Sequence, residues 1–141
     1  MSSLVFWSIP AAGRKYAGLF RMAEYDYNIP RFLLAKQAQQ ESAYDTLAVS
    51  SAGAQGIMQI VPRWHPGVNP FDPVEAIDYA GKFMRQLYDR FGSWTMALAA
   101  YNAGPTALQK RLDQYGDSWL EYMPSETRDY VARITKDVPV A

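Results

Sequence analysis

The chain has 141 residues, 49% hydrophobic and 20% charged, a globular composition that fits one domain and excludes a disordered or fibrous protein. Its 14 Lys and Arg balance its 14 Asp and Glu, so no net charge draws it to nucleic acid or anionic lipid. With no cysteine and a single histidine, His65, the chain cannot build disulfides, thiolate metal sites, a Cys nucleophile or a multi-histidine metal centre.

At the N-terminus, Leu4 to Ile9 is apolar, but the first basic residue, Arg14, comes after that stretch. A secretory signal has the reverse order and a longer apolar region, so residues 1–13 read as a packing segment, and any target outside the cytosol must be reached by another route. The longest apolar run, Met96 to Tyr101, falls far short of the ~18 residues of a membrane span. Neither repeats nor linker-like tracts interrupt the chain, which is expected to form a single domain over 1–141.

Helical spacing then runs through most of the sequence. A first helix is predicted over Ala11 to Tyr25, with Tyr16, Leu19, Phe20 and Ala23 on one face. A second is predicted from Pro30, a residue suited to the first helical position, to about Ser42. Residues Ala43 to Gln55 carry Asp, Ser and Gly without periodicity and read as an irregular loop that could hide at most a small hairpin. A short helix is expected after Gly56, before Pro62, Pro66, Gly67 and Pro70 break the chain; His65 lies there in a Trp-His-Pro loop and reads as a surface residue.

The clearest helix opens at Asp72, with Pro73 first and Glu75 three residues after the cap; its stripe is Ile77, Ala80, Met84, Leu87 and Phe91, and Gly92 ends it. Ser93 can cap Trp94 to Asn102, a helix apolar on nearly every side and therefore expected to be buried. Two more are predicted over Pro105 to Leu112 and Ser125 to Thr135. The expected class is mostly α.

Glu41 is out of place among these elements. On a helical wheel it lies beside Leu34 and Ala38, along the apolar face, and in the last turn, where the helix carries partial negative charge. Burial and that dipole both disfavour ionisation, which suits a carboxylic acid kept protonated to donate a proton. A Glu that bends to solvent or pairs with an Arg is the structural alternative.

Glu41-Ser42 is followed by Ser50, by Gly53-Ala54-Gln55-Gly56-Ile57-Met58-Gln59, by Ala100-Tyr101-Asn102-Ala103-Gly104-Pro105, and by Ser125-Glu126-Thr127-Arg128-Asp129-Tyr130-Val131. Four blocks in this order closely resemble the soluble lytic transglycosylases, a branch of the goose-type-lysozyme-like enzymes that cut peptidoglycan, from about Ile29 to Ile134. The resemblance implies a lysozyme-like fold with a buried central helix. It also implies Glu41 as the single catalytic acid/base, and Ser50, Met58, Gln59, Tyr101, Asn102 and Tyr130 around the saccharide.

The residue chemistry is compatible with these roles. Gly53 and Gly56 permit backbone angles closed to other residues, and Gln59 and Asn102 offer both donors and acceptors to sugar N-acetyl and hydroxyl groups. Asn102 could equally cap its helix, and Met58 could be core filler. Where many relatives have Asn-Pro shortly after Glu-Ser, this chain has Asp45-Thr46. That change puts a second carboxylate four positions from Glu41 and alters the turn chemistry.

Ordinary glycosidases use two carboxylates. The family mechanism needs one: the acid protonates the oxygen between N-acetylmuramic acid and N-acetylglucosamine, then takes the proton of the muramic acid's own C6 hydroxyl as a 1,6-anhydro ring closes. No metal or organic cofactor enters this scheme. The implied partner is the glycan strand of periplasmic peptidoglycan, attacked by a monomer. The expected setting is a phage endolysin, a virion part or a piece of a bacterial secretion apparatus. The rivals are a goose-type muramidase, with water guided by Asp45, and a non-catalytic glycan-binding or structural virion subunit. A serine hydrolase lacks Gly-x-Ser-x-Gly, and a nucleotide binder lacks a phosphate-loop glycine pattern.

Overall fold

The computed structural model describes residues 7–140. Residues 1–6 of the expected N-terminal packing segment therefore lie outside the described residues. Trp7 meets the Phe32 ring edge-on at 5.8 Å, and the Lys36 ammonium lies 5.2 Å from the Trp7 ring. Among the described residues six α-helices follow in chain order: α1 (Ala17–Asp26), α2 (Leu33–Ser42), α3 (Pro73–Phe91), α4 (Trp94–Ala103), α5 (Pro105–Tyr115) and α6 (Ser125–Asp137). The described residues contain no sheet, only isolated antiparallel bridges pairing Gln55 with Val49 and with Ile60. The mostly α class expected from the sequence is what forms. No helix among the described residues is long and apolar enough to cross a membrane.

The chain divides after Lys82, within α3, into two compact units. In the first, α2 is the buried element: Leu33 through Ala38 are all shielded, including Lys36 and Gln37. Phe20 and Ala23 of α1 are buried as well. α3 comes up against α1 and α2 at Gly81, where a Cβ would stand 2.8 Å from the Tyr27 ring and 3.3 Å from both Ala23 and Leu34, so only glycine allows this approach. Truncating Leu33 or Leu34, neither of which is exposed at all, to Ala would cost about 2–5 kcal/mol.

In the second unit α4 packs on α5 and α6. Its all-round apolar character is explained by burial of Trp94 and of Ala97 through Ala100. Ser93 caps it as predicted, its Oγ accepting from the Met96 N–H at 3.0 Å. α3 likewise starts where Asp72 accepts from the Val74 N–H at 2.9 Å.

Several boundaries differ from the sequence reading, each for a local reason. The first predicted helix begins as a 3-10 helix, Ala11–Tyr16, before turning α. The second starts at Leu33, not Pro30, because Phe32 holds a left-handed backbone (φ 72) that no continuous helix can contain. No helix follows Gly56: the Gln55–Ile60 bridge and a left-handed Gln59 (φ 51) fold that stretch into turns. A second 3-10 helix, Gly116–Tyr122, was not foreseen, and α5 and α6 run to Tyr115 and Asp137, beyond their predicted ends. His65, expected at the surface, is only partly exposed there. It is half-buried, with Nδ1 2.6 Å from the Tyr79 hydroxyl, and burial lowers its pKa and raises that of Tyr79.

Candidate active site

Glu41 stands in the last turn of α2 and is half-buried. The helix stops abruptly after it: Ala43 and Tyr44 both adopt left-handed angles (φ 51 and 65), and the Ala43 N–H closes on the Gln39 carbonyl at 3.0 Å. Such backbone costs on the order of 1 kcal/mol for each non-glycine residue and persists only where surrounding contacts impose it. Here Phe32, Ala43, Tyr44 and Gln59 share it, at both ends of α2 and in the turn bonded to its C-terminal end.

Ser42 makes that bond. Its hydroxyl donates to the Ile57 carbonyl at 2.8 Å, so the end of α2 is fastened to the Gly56–Ile60 turn. Met58 in this turn has no exposed surface, and its side chain belongs to the core beneath the turn. Gln59 is half-buried, and its Nε2 donates to the carbonyls of Gly56 (2.9 Å) and Ala48 (3.2 Å). Gly56 N–H in turn donates to the Ala48 carbonyl at 2.8 Å. Ser50 braces the neighbouring hairpin: its Oγ accepts from the Ala54 N–H at 3.0 Å and its N–H donates to the Ala54 carbonyl at 2.8 Å. Hydrogen bonds of Ser42, Gly56 and Gln59 thus fasten the end of α2, next to Glu41, to the turn that carries Met58, while Ser50 braces the adjacent Ala54. Asp45 is exposed, and its Oδ1 accepts from the Leu47 N–H at 2.9 Å, which makes it a turn former.

The second unit holds the remaining predicted residues. Tyr101 and Asn102 end α4; Tyr101 is half-buried, its ring 5.8 Å from that of Phe83. Asn102 does not cap the helix, because Gly104 takes that position and donates its N–H to the Ala100 carbonyl at 2.8 Å. Instead the Asn102 Oδ1 accepts from the Thr127 hydroxyl of α6 at 2.8 Å, which leaves its NH2 as the donor end of a fixed amide. Tyr130, buried, lies three residues after Thr127 on the same side of α6.

Sequence reasoning passed over two residues of these assemblies. Thr127, 1% exposed, orients Asn102. Glu24, 4% exposed, accepts from the backbone N–H groups of Phe32 (2.9 Å), Leu34 (3.0 Å) and Ala35 (3.4 Å), and so caps α2. Burial pushes its pKa up to about 7, against the opposing pull of those N–H groups and of Arg31. Both had a signal available: Glu24 falls four residues after Phe20 and Thr127 four before Val131, each on an apolar helix face.

Helices arranged in this way, with the end of a buried helix fastened by Ser42 to a turn rich in left-handed backbone, form a lysozyme-like fold. Residues 18–122 match the transglycosylase SLT domain family, and the chain belongs to it. It is 31% identical over 139 residues to the soluble lytic murein transglycosylase of Escherichia coli K12, covering 84% of this chain and 22% of that protein. It is 33% identical over 85 residues to the transglycosylase of Enterobacteria phage PRD1, covering 58% of this chain and 32% of the phage protein. The crystal structure of the 70 kDa soluble lytic transglycosylase from Escherichia coli superposes with a TM-score of 0.74 at 30% identity, over 84% of this chain and 22% of that one. The chain thus spans about a fifth of the length of its Escherichia coli relative.

Proposed function

We propose that the protein is a peptidoglycan lytic transglycosylase that cleaves the N-acetylmuramic acid–N-acetylglucosamine bond, with Glu41 as its single general acid/base. The observation that carries this reading is the placement of Glu41: in the last turn of the buried helix α2, half-shielded from water, beside a Ser42 bonded to the Gly56–Ile60 turn. Family membership and the names of the relatives from Escherichia coli and phage PRD1 support the same chemistry.

In the proposed reaction Glu41 gives its proton to the bridging oxygen, the N-acetylglucosamine leaves, and the muramic acid's acetamido group shields the electron-poor C1. The Glu41 carboxylate then takes the proton of that sugar's C6 hydroxyl while O6 bonds to C1. Glu41 ends protonated, and the product carries a 1,6-anhydro ring. The nucleophile is tethered to the electrophile, an arrangement that replaces an activated water by effective molarity. The engagement of Asp45 with the Leu47 amide favours this scheme over one with water guided by a second carboxylate. Ser50, Gln59, Tyr101, Asn102 and Tyr130 are assigned to the saccharide, while Met58, fully buried, belongs to the core.

The test is Glu41→Gln on purified sacculi, read by turbidity and by mass spectrometry of the released muropeptides. The variant should fold and lose about 10²–10⁴-fold in turnover, and the parent's products should be one water lighter than reducing ends. A folded variant that clears sacculi at the parent's rate, or a parent that releases only reducing ends, overturns the reading.

A further inference from the structure

α2 is buried along Leu33 to Ala38, so the amides of its first turn have no water to bond and need partners from the protein. The residue at the helix entrance provides none. Phe32 is apolar and left-handed, and no side chain at that position caps the helix. The partner comes from α1 instead. Glu24 accepts from Phe32 N–H on Oε1 and from Leu34 and Ala35 N–H on Oε2, while its own backbone carbonyl accepts from Ile29 N–H at 2.8 Å. One residue thus holds the α1–α2 connection with both its main chain and its side chain. At the other end of the ten-residue helix, about 15 Å away, Ser42 is fastened to Ile57, with Glu41 immediately before it.

We propose that Glu24 is a positioning residue for Glu41: by taking the three N–H groups it fixes where α2 sits along its own axis, and so where the acid in the last turn stands. This rests on the reading of Glu41 as the acid/base. Once ionised, the Glu24 carboxylate can accept from all three N–H groups at once. It is acceptor-only on both oxygens, it complements the positive end of the helix dipole, and Arg31 supplies a nearby cation. The consequence for rate is large because a displacement of about 1 Å in a catalytic group can cost on the order of 10²-fold.

The experiment compares the parent with Glu24→Gln at pH 8, where the parent carboxyl is ionised. The substitution replaces one acceptor oxygen with an NH2 that must face backbone donors. Turnover on sacculi is measured per folded molecule, together with backbone amide shifts and hydrogen exchange along α2. The expected result is a kcat lowered about 10- to 100-fold with KM within about twofold, and amide changes that extend to residues 39–42. An unchanged kcat per folded molecule, or amide changes that stop within residues 32–36, overturns the proposal. Glu24→Asp, which keeps the charge but shortens the reach, gives the same readings should the Gln variant not fold. Failure of both to fold also overturns it, since the cap would then serve global stability alone. A parent that releases no muropeptide removes the acid/base reading of Glu41, and the amide data then decide the placement of α2 by themselves.

Discussion

Replacing Gly56 by Ala tests the turn that holds the end of α2. At Gly56 (φ 76) a Cβ would fall far inside contact with the Pro70 carbonyl oxygen and 2.7 Å from its carbon, atoms of the main chain that cannot rotate away. The left-handed backbone alone costs an alanine about 1–2 kcal/mol. Relief of the clash requires Gly56 or Pro70 to move by roughly an ångström, an overpacking cost of about 1–3 kcal/mol. Gly56 cannot move freely, because its N–H is bonded to Ala48 and its carbonyl receives both Gln59 N–H groups. The expected loss is about 2–5 kcal/mol in urea unfolding. Gly53 is the control: its φ is 87 but nothing lies within 4 Å of the added carbon, so Gly53→Ala should cost only the backbone penalty, about 1–2 kcal/mol. Equal destabilisation by the two substitutions would refute the reasoning, since the Pro70 contact would then have no energetic weight.

The buried Glu24 predicts a pH dependence. Its folded pKa of about 7 exceeds the ordinary 4.5, so the folded chain holds this proton more tightly than the unfolded one. The stability it contributes is complete below pH 4.5 and is lost as pH rises through 7, by about 3 kcal/mol in all. Urea midpoints from pH 4 to 8 should show this decline, and Glu24→Gln should flatten it; an identical slope in the variant would contradict the burial argument. Thr127→Val keeps shape but removes the donor to Asn102, and should cost about 1 kcal/mol in the same assay. An unaffected stability would mean that the bond has no net worth.

Periodic and punctuating residues made most of the fold legible before any coordinates. Asp72-Pro73, Gly92-Ser93 and Gly104-Pro105 mark helix ends by chemistry that acts within a turn or two, and the structure keeps those boundaries. The placement of Glu41 in the last turn of α2 followed from the same short-range pattern. What stayed hidden depends on partners distant along the chain. The true start of α2 is set by a left-handed Phe32 and by a carboxylate eight to eleven residues earlier, and neither propensity nor spacing registers such a bond. The sequence leads one to expect a short helix after Gly56, yet bridges from Gln55 to Val49 and Ile60 and the close approach of Gly56 to Pro70 make it a turn. Local composition determined where the helices run and which acid ends the buried one. Tertiary hydrogen bonds decided what caps that helix and which way the Asn102 amide faces, and tertiary packing against Pro70 decided why Gly56 cannot change, because each unites groups whose meeting is bought only by folding.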